Sequence, residues 1–192
     1  MHTHNGIIIK IRPEGLQKMF IEMISDVLSE EYRSLPARQF CSLDLVLPHV
    51  SLILARTIMK SADTESENHF EIHGLREIKN EYLKMFEAPV TPEKLQMLGN
   101  ETLVSLGLCY AGLKRAHYLA INRAFDPLKN ISFFVKMGSS FLRTAATHLS
   151  GMENDETRFI LNSLADNFKL WTEVISYIPV RSSELRIDIN GN

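Results

Sequence analysis

The sequence predicts a mainly α, single-domain protein over residues 1–192: a bundle of five to six helices around a central buried helix near 100–125, with a minor two-stranded β element from the two chain ends. Three observations predict it. Apolar side chains recur at helical spacing through most of the chain. The stretch 100–125 is apolar round most of a helical circumference, which belongs in the middle of a domain. Strand-like alternation is confined to 6–12 and 184–189.

A chain of 192 residues buries roughly 70% of the surface its unfolded form exposes, so its core needs no metal or disulfide. Its apolar content of 45% and charged content of 23% are those of an ordinary globular protein. The net charge of −2 argues against non-specific nucleic-acid binding, which needs a surplus of Lys and Arg. Cys41 and Cys109 sit in apolar segments and read as two buried free thiols in a reducing compartment. The start, Met1-His-Thr-His-Asn5, lacks the basic region and apolar run of a signal peptide. The apolar runs at 43–55 and 103–113 are too short for a membrane span. A cytoplasmic location is expected.

In chain order, Ile7, Ile9 and Ile11 share one face of a β-branched strand over 6–12, which Pro13 ends. Leu16, Phe20, Met23, Ile24 and Val27 then define a first helix over about 13–35. Pro36 breaks it. A second helix follows Ser42, a plausible N-cap, and runs to about Lys60; Pro48 either delays its start or kinks it. The polar run 60–68 reads as a loop. The third helix, about 68–87, packs through Phe70, Leu75, Ile78, Tyr82, Met85 and Phe86 and has Gly74 inside it.

Thr91-Pro92-Glu93 is a strong helix start: a capping hydroxyl, a proline at the first position and an acid in the first turn. It opens a short helix that Gly99 ends, and Asn100 caps the central helix. Ser105, Cys109, Gly112 and Ala116 form a seam of small side chains along that helix. Asp126-Pro127 separates it from a helix over 128–150 with Phe134, Met137, Phe141, Ala145 and Leu149 in one stripe. The last helix, about 153–177, has the clearest period: Ile160, Leu161, Leu164, Phe168, Trp171, Val174, Ile175 and Ile178. Leu185, Ile187 and Ile189 alternate in a closing strand over 184–189. The two end strands have complementary polar faces, Lys10 and Arg12 against Glu184 and Asp188, and are expected to pair with each other or with another chain.

The sharpest chemical pattern is Glu65-x3-His69-x3-His73-x3-Glu77, which lines one helical face. Two histidines at i and i+4 can grip a metal ion, and His69, His73 and Glu77 are the candidate ligands. Phe70 stands where a zinc protease needs glutamate, and a solvated polar face is the competing reading. His117 shares a face with Leu113 and Ile121, so it is either a hydrogen-bonded core histidine or a ligand contact. Lys114, Arg115 and Arg123, with Lys129 beyond, suit the helix dipole and also offer an anionic ligand or partner a site. His49 and His148 are isolated in the sequence. No phosphate-cradling glycine loop, nucleophile elbow or Cys-x-x-Cys occurs, and no cofactor is expected.

These features lead to a non-enzymatic cytoplasmic protein–protein interaction module, an adaptor, regulator or chaperone-like subunit whose partner is another protein or a second copy, as in a homodimer. Leu43, Leu45, Val46, Leu47, Ile53 and Leu54 in the second helix, and the adjacent Phe133 and Phe134, suggest more apolar surface than one core absorbs. The alternative is a helical-bundle enzyme or sensor that holds a metal or a small apolar ligand on helix-borne histidines. Sequence-specific DNA binding is weaker still, for want of a basic recognition helix.

Overall fold

The computed structural model describes residues 13–32, 43–62, 70–85, 90–119, 131–151 and 154–178. Seven α-helices occur among them: α1 (Pro13–Glu31), α2 (Leu43–Ala62), α3 (Phe70–Lys84), α4 (Pro92–Leu119), α5 (Ile131–His148), α6 (Asp155–Asp166) and α7 (Phe168–Ser176). The protein is mainly helical, and no strand occurs among the described residues. Both expected strands, 6–12 and 184–189, lie outside them, as does Cys41.

α4 lies along α5 and α7 and also meets α3 and α2, while α1 packs on α2 and touches α7. α6 packs on α5 and reaches α2. From Thr102 to Leu106, and again at Cys109 and Tyr110, α4 is buried. Two of its polar side chains there bond back to their own helix. Thr102 Oγ1 donates to the Leu98 carbonyl at 2.6 Å and Cys109 Sγ to that of Ser105 at 2.9 Å.

Several helix ends differ from the expected ones. α2 starts at Leu43 and runs through Pro48, so the proline does not delay it. Pro48 has no N–H to give the Asp44 carbonyl, and its own carbonyl accepts a 3.0 Å hydrogen bond from Gln17 Nε2 of α1. α4 starts at Pro92 as expected, with Lys94 N–H donating to Thr91 Oγ1 at 3.3 Å. It then continues through Gly99 and Asn100, so the short helix and the central helix are one. Gly99 stands against α5: a Cβ there would lie 2.5 Å from Leu142 Cδ2. Gly107 is equally tight against α7, and Gly138 of α5 against Phe168 and Thr102. These glycines let helix axes approach closely.

The small-residue seam holds only in part. Ser105 and Cys109 are buried, whereas a Cβ on Gly112 would meet nothing within 4 Å. The last predicted helix is two. Asn167 interrupts it, and its side-chain amide and backbone N–H both donate to the Ser163 carbonyl, each at 3.1 Å. An amide that competes for a helix carbonyl favours such a bend. Between α5 and α6, Gly151 turns the chain at φ 99°, in the left-handed region that glycine adopts without strain.

Most of the expected apolar surplus is used within the chain. Val46, Ile53, Leu54 and Phe134 are buried, and Leu43, Leu47 and Phe133 pack against the core. Phe133 meets Phe134 edge-on at 5.2 Å and Tyr82 at 6.3 Å. Leu45 remains 41% exposed.

Candidate functional site

At the C-terminal half of α4, polar groups from three helices gather. Tyr110 Oη donates a 2.7 Å hydrogen bond to Glu173 Oε1 of α7, across the seam that Gly107 holds close. One turn on, Lys114 Nζ lies 4.7 Å from the Tyr110 ring centre, a cation–π contact. Lys169 Nζ stands 3.9 Å from the same Glu173 oxygen. Tyr32, just past α1, and Tyr177, just past α7, complete the cluster.

Burial raises two of these phenols, Tyr32 and Tyr110, above their ordinary value. Burial pushes Tyr32 up to about 12, helped by the Glu173, Tyr177 and Glu31 charges. Tyr110 is raised further, by burial first and then by its hydrogen bond to the Glu173 carboxylate. Phenols held this far above neutrality are poor proton donors or nucleophiles near pH 7. The cluster can offer hydrogen bonds, aromatic faces and lysine charge.

Beside it the helix opens. Leu113 is buried, but Ala111, Gly112 and Lys114 are exposed immediately after the buried stretch that ends at Tyr110. Of the expected site residues, Lys114 is thus placed at this surface. Arg115 and His117 lie on α4, but their side chains are outside the described residues, as are Arg123 and Lys129 altogether. Tyr32, Tyr110, Glu173 and Tyr177 were not among the expected site residues. The i, i+4 pairs Tyr110–Lys114 and Lys169–Glu173 were the available signal.

The metal candidates are separate from this cluster. His69 lies outside the described residues, His73 is on α3 with its side chain outside them, and Glu77 is exposed on the same helix. Among the described residues no three His, Cys, Asp or Glu groups come together to hold a metal ion. The α3 charges pair locally instead. Glu81 bonds Lys84 Nζ at 2.9 Å and Lys94 Nζ of α4 at 2.8 Å. Those lysines hold its carboxyl at about 2.

One buried polar contact sits apart, where α2 meets α4. His49 Nε2 and Asn100 Oδ1 are buried and face each other, and with the ring proton on Nε2 the imidazole donates to the amide oxygen.

No protein-family model, curated protein or solved structure matches the chain. Among the described residues no helix is long and apolar enough to cross a membrane.

Proposed function

We propose that the chain is a non-enzymatic protein-interaction module, and that its partner, another protein or a second copy, docks on the C-terminal half of α4. The observation that carries this reading is the change along one helix. From Thr102 to Tyr110 α4 is buried except for half-buried Leu108, and it then presents Ala111, Gly112 and Lys114 exposed. Small side chains on an open helical face allow close approach of a second helix, and tyrosines are enriched at protein interfaces. The exposed Leu45, Leu83, Met97 and Phe159 add apolar area elsewhere on the surface. The neutral phenols around Glu173 favour binding over catalysis.

Gly112→Arg places a large charged side chain on the open face, at a position where nothing lies within 4 Å of the Cβ. Sedimentation of the purified chain, and capture from the native source, should show a complex with the wild type that Gly112→Arg loses while its melting curve is kept. A strictly monomeric wild type that captures nothing, or a complex indifferent to Gly112→Arg, refutes the reading.

The same proposal includes the closure of the fold. The complementary segments 6–12 and 184–189 pair as a two-stranded ribbon on the helices. Deletion of residues 182–192 should then lower the melting temperature, and an unchanged melting curve would rule the ribbon out.

A further inference from the structure

The fold uses only part of the cluster of Tyr32, Tyr110, Glu173 and Tyr177. Tyr110 Oη bonds one carboxylate oxygen of Glu173 at 2.7 Å, and Lys169 Nζ stands 3.9 Å from the same oxygen. Among the described residues, the second Glu173 oxygen and the hydroxyls of Tyr32 and Tyr177 have no hydrogen-bond partner. They are within reach from outside. The Glu173 side chain is 28% exposed, Tyr177 is 39% exposed and Tyr32 is half-buried.

The charges and acceptors select the ligand. Glu30 and Glu31, both exposed, end α1 just before Tyr32, and the Glu173 carboxylate acts on the same phenol. A carboxylate oxygen only accepts hydrogen bonds, a phenol oxygen can accept one too, and aromatic rings add their negative faces. The fold already seats cations here: the Lys114 ammonium lies 4.7 Å from the Tyr110 ring centre, and that of Lys169 approaches Glu173. The 3.9 Å separation is too long for a hydrogen bond, and Lys169 is 69% exposed, so it is a loose occupant that a better donor displaces. A guanidinium is such a donor. Planar, with its N–H groups in a fork, it bonds a carboxylate and a phenol together and stacks on aromatic faces.

We propose that this cluster is a guanidinium site, which takes an arginine side chain of the partner on the Glu173 carboxylate, beside Tyr32 and Tyr177. The site supposes a partner docked on the C-terminal half of α4, as proposed above, and names the side chain that the partner brings. Lys114 stays on the Tyr110 ring at the rim, while Lys169 gives up its place to the arginine.

The probe is N-acetyl-arginine amide, titrated into the full chain at constant ionic strength and followed through the ring NMR signals of Tyr32 and Tyr177. N-acetyl-glutamate amide serves as the opposite charge. The arginine probe should shift these signals saturably, and the glutamate probe should not. Glu173→Gln keeps an acceptor for Tyr110 and removes the charge, so it should weaken the arginine probe by about tenfold or more, as for loss of a charge-assisted hydrogen bond. Lys169→Gln removes the competing cation and should tighten it. The site is overturned by the absence of a saturable shift with arginine, by a glutamate probe that binds instead, or by equal affinity in the wild type and Glu173→Gln. Should Glu173→Gln fail to fold, Lys169→Gln decides, and only tighter arginine binding supports the site. The docking itself is tested separately. A complex that Gly112→Arg breaks and Glu173→Gln keeps overturns the arginine site and leaves the docking in place, whereas arginine binding by a chain that forms no complex keeps the site and refutes the docking.

Discussion

Gly107→Ala should destabilise the protein by about 2 kcal/mol, a loss of about 4–8 °C in melting temperature for a domain of this size. In a helix interior alanine normally gains about 1 kcal/mol over glycine. Here the added Cβ would stand 2.5 Å from Ile175 Cγ2, 2.7 Å from Ile175 Cβ and 3.3 Å from the Thr172 carbonyl oxygen. Ile175 is fully buried and β-branched, so neither its rotamer nor its Cβ can retreat. The clash must be relieved by moving α4 and α7 apart, which loosens the packing on both. Gly112→Ala is the internal control. It lies on the same helix, with no atom within 4 Å of its Cβ position, and should stabilise by about 0.5–1 kcal/mol. Paired urea melts read both signs. If the two substitutions shift stability in the same direction, the close approach of α4 and α7 is wrong. Ile175→Ala removes one of the clashing atoms, so Gly107→Ala should cost less in that background than alone.

The same glycines mark the limit of what was legible. Helical periodicity placed the core with few errors: all eight apolar positions from Ile160 to Ile178 are buried, as are Leu16, Phe20, Ile24 and Val27. That pattern records which face a helix hides, and the face is a local property of the chain. Helix ends were harder. Gly99-Asn100 has the composition of a stop followed by a cap, yet the glycine is there for Leu142 of another helix. Sequence does not distinguish a glycine that ends a helix from one that admits a neighbour. Asn167 shows the converse, since its amide interrupts a period that continues on both sides. The candidate site was legible only as a place. Lys114 was singled out, but the Glu173 carboxylate that binds Tyr110 is 63 positions away, and His49 meets Asn100 across a helix contact. A pairing such as Tyr110–Glu173 is made by the fold, which a single sequence does not display.

Phe168→Ala should cost about 3–5 kcal/mol, the range for a buried phenylalanine whose cavity the surroundings cannot refill. Phe168 is 1% exposed and opens α7 directly after the Asn167 bend, with its ring edge on Gly138 of α5. Phe159, of the same type and on the neighbouring α6, is 49% exposed, so Phe159→Ala should change stability by less than about 1 kcal/mol. The Gly138 contact supplies a sharper check. In the wild type a Cβ on Gly138 would overlap the Phe168 ring, coming 2.7 Å from Cε2 and 2.9 Å from Thr102 Cγ2. Gly138→Ala is therefore unfavourable while the ring is present. Once Phe168→Ala has vacated that space, the added methyl fills part of the cavity and gains the helix preference of alanine. Gly138→Ala should then be less costly by about 1–3 kcal/mol in the Phe168→Ala background than in the wild type, a coupling typical of residues in contact. Simple additivity in urea melts of the four proteins would show that Phe168 does not lie on Gly138. The packing of α7 against α5 would then need a different arrangement.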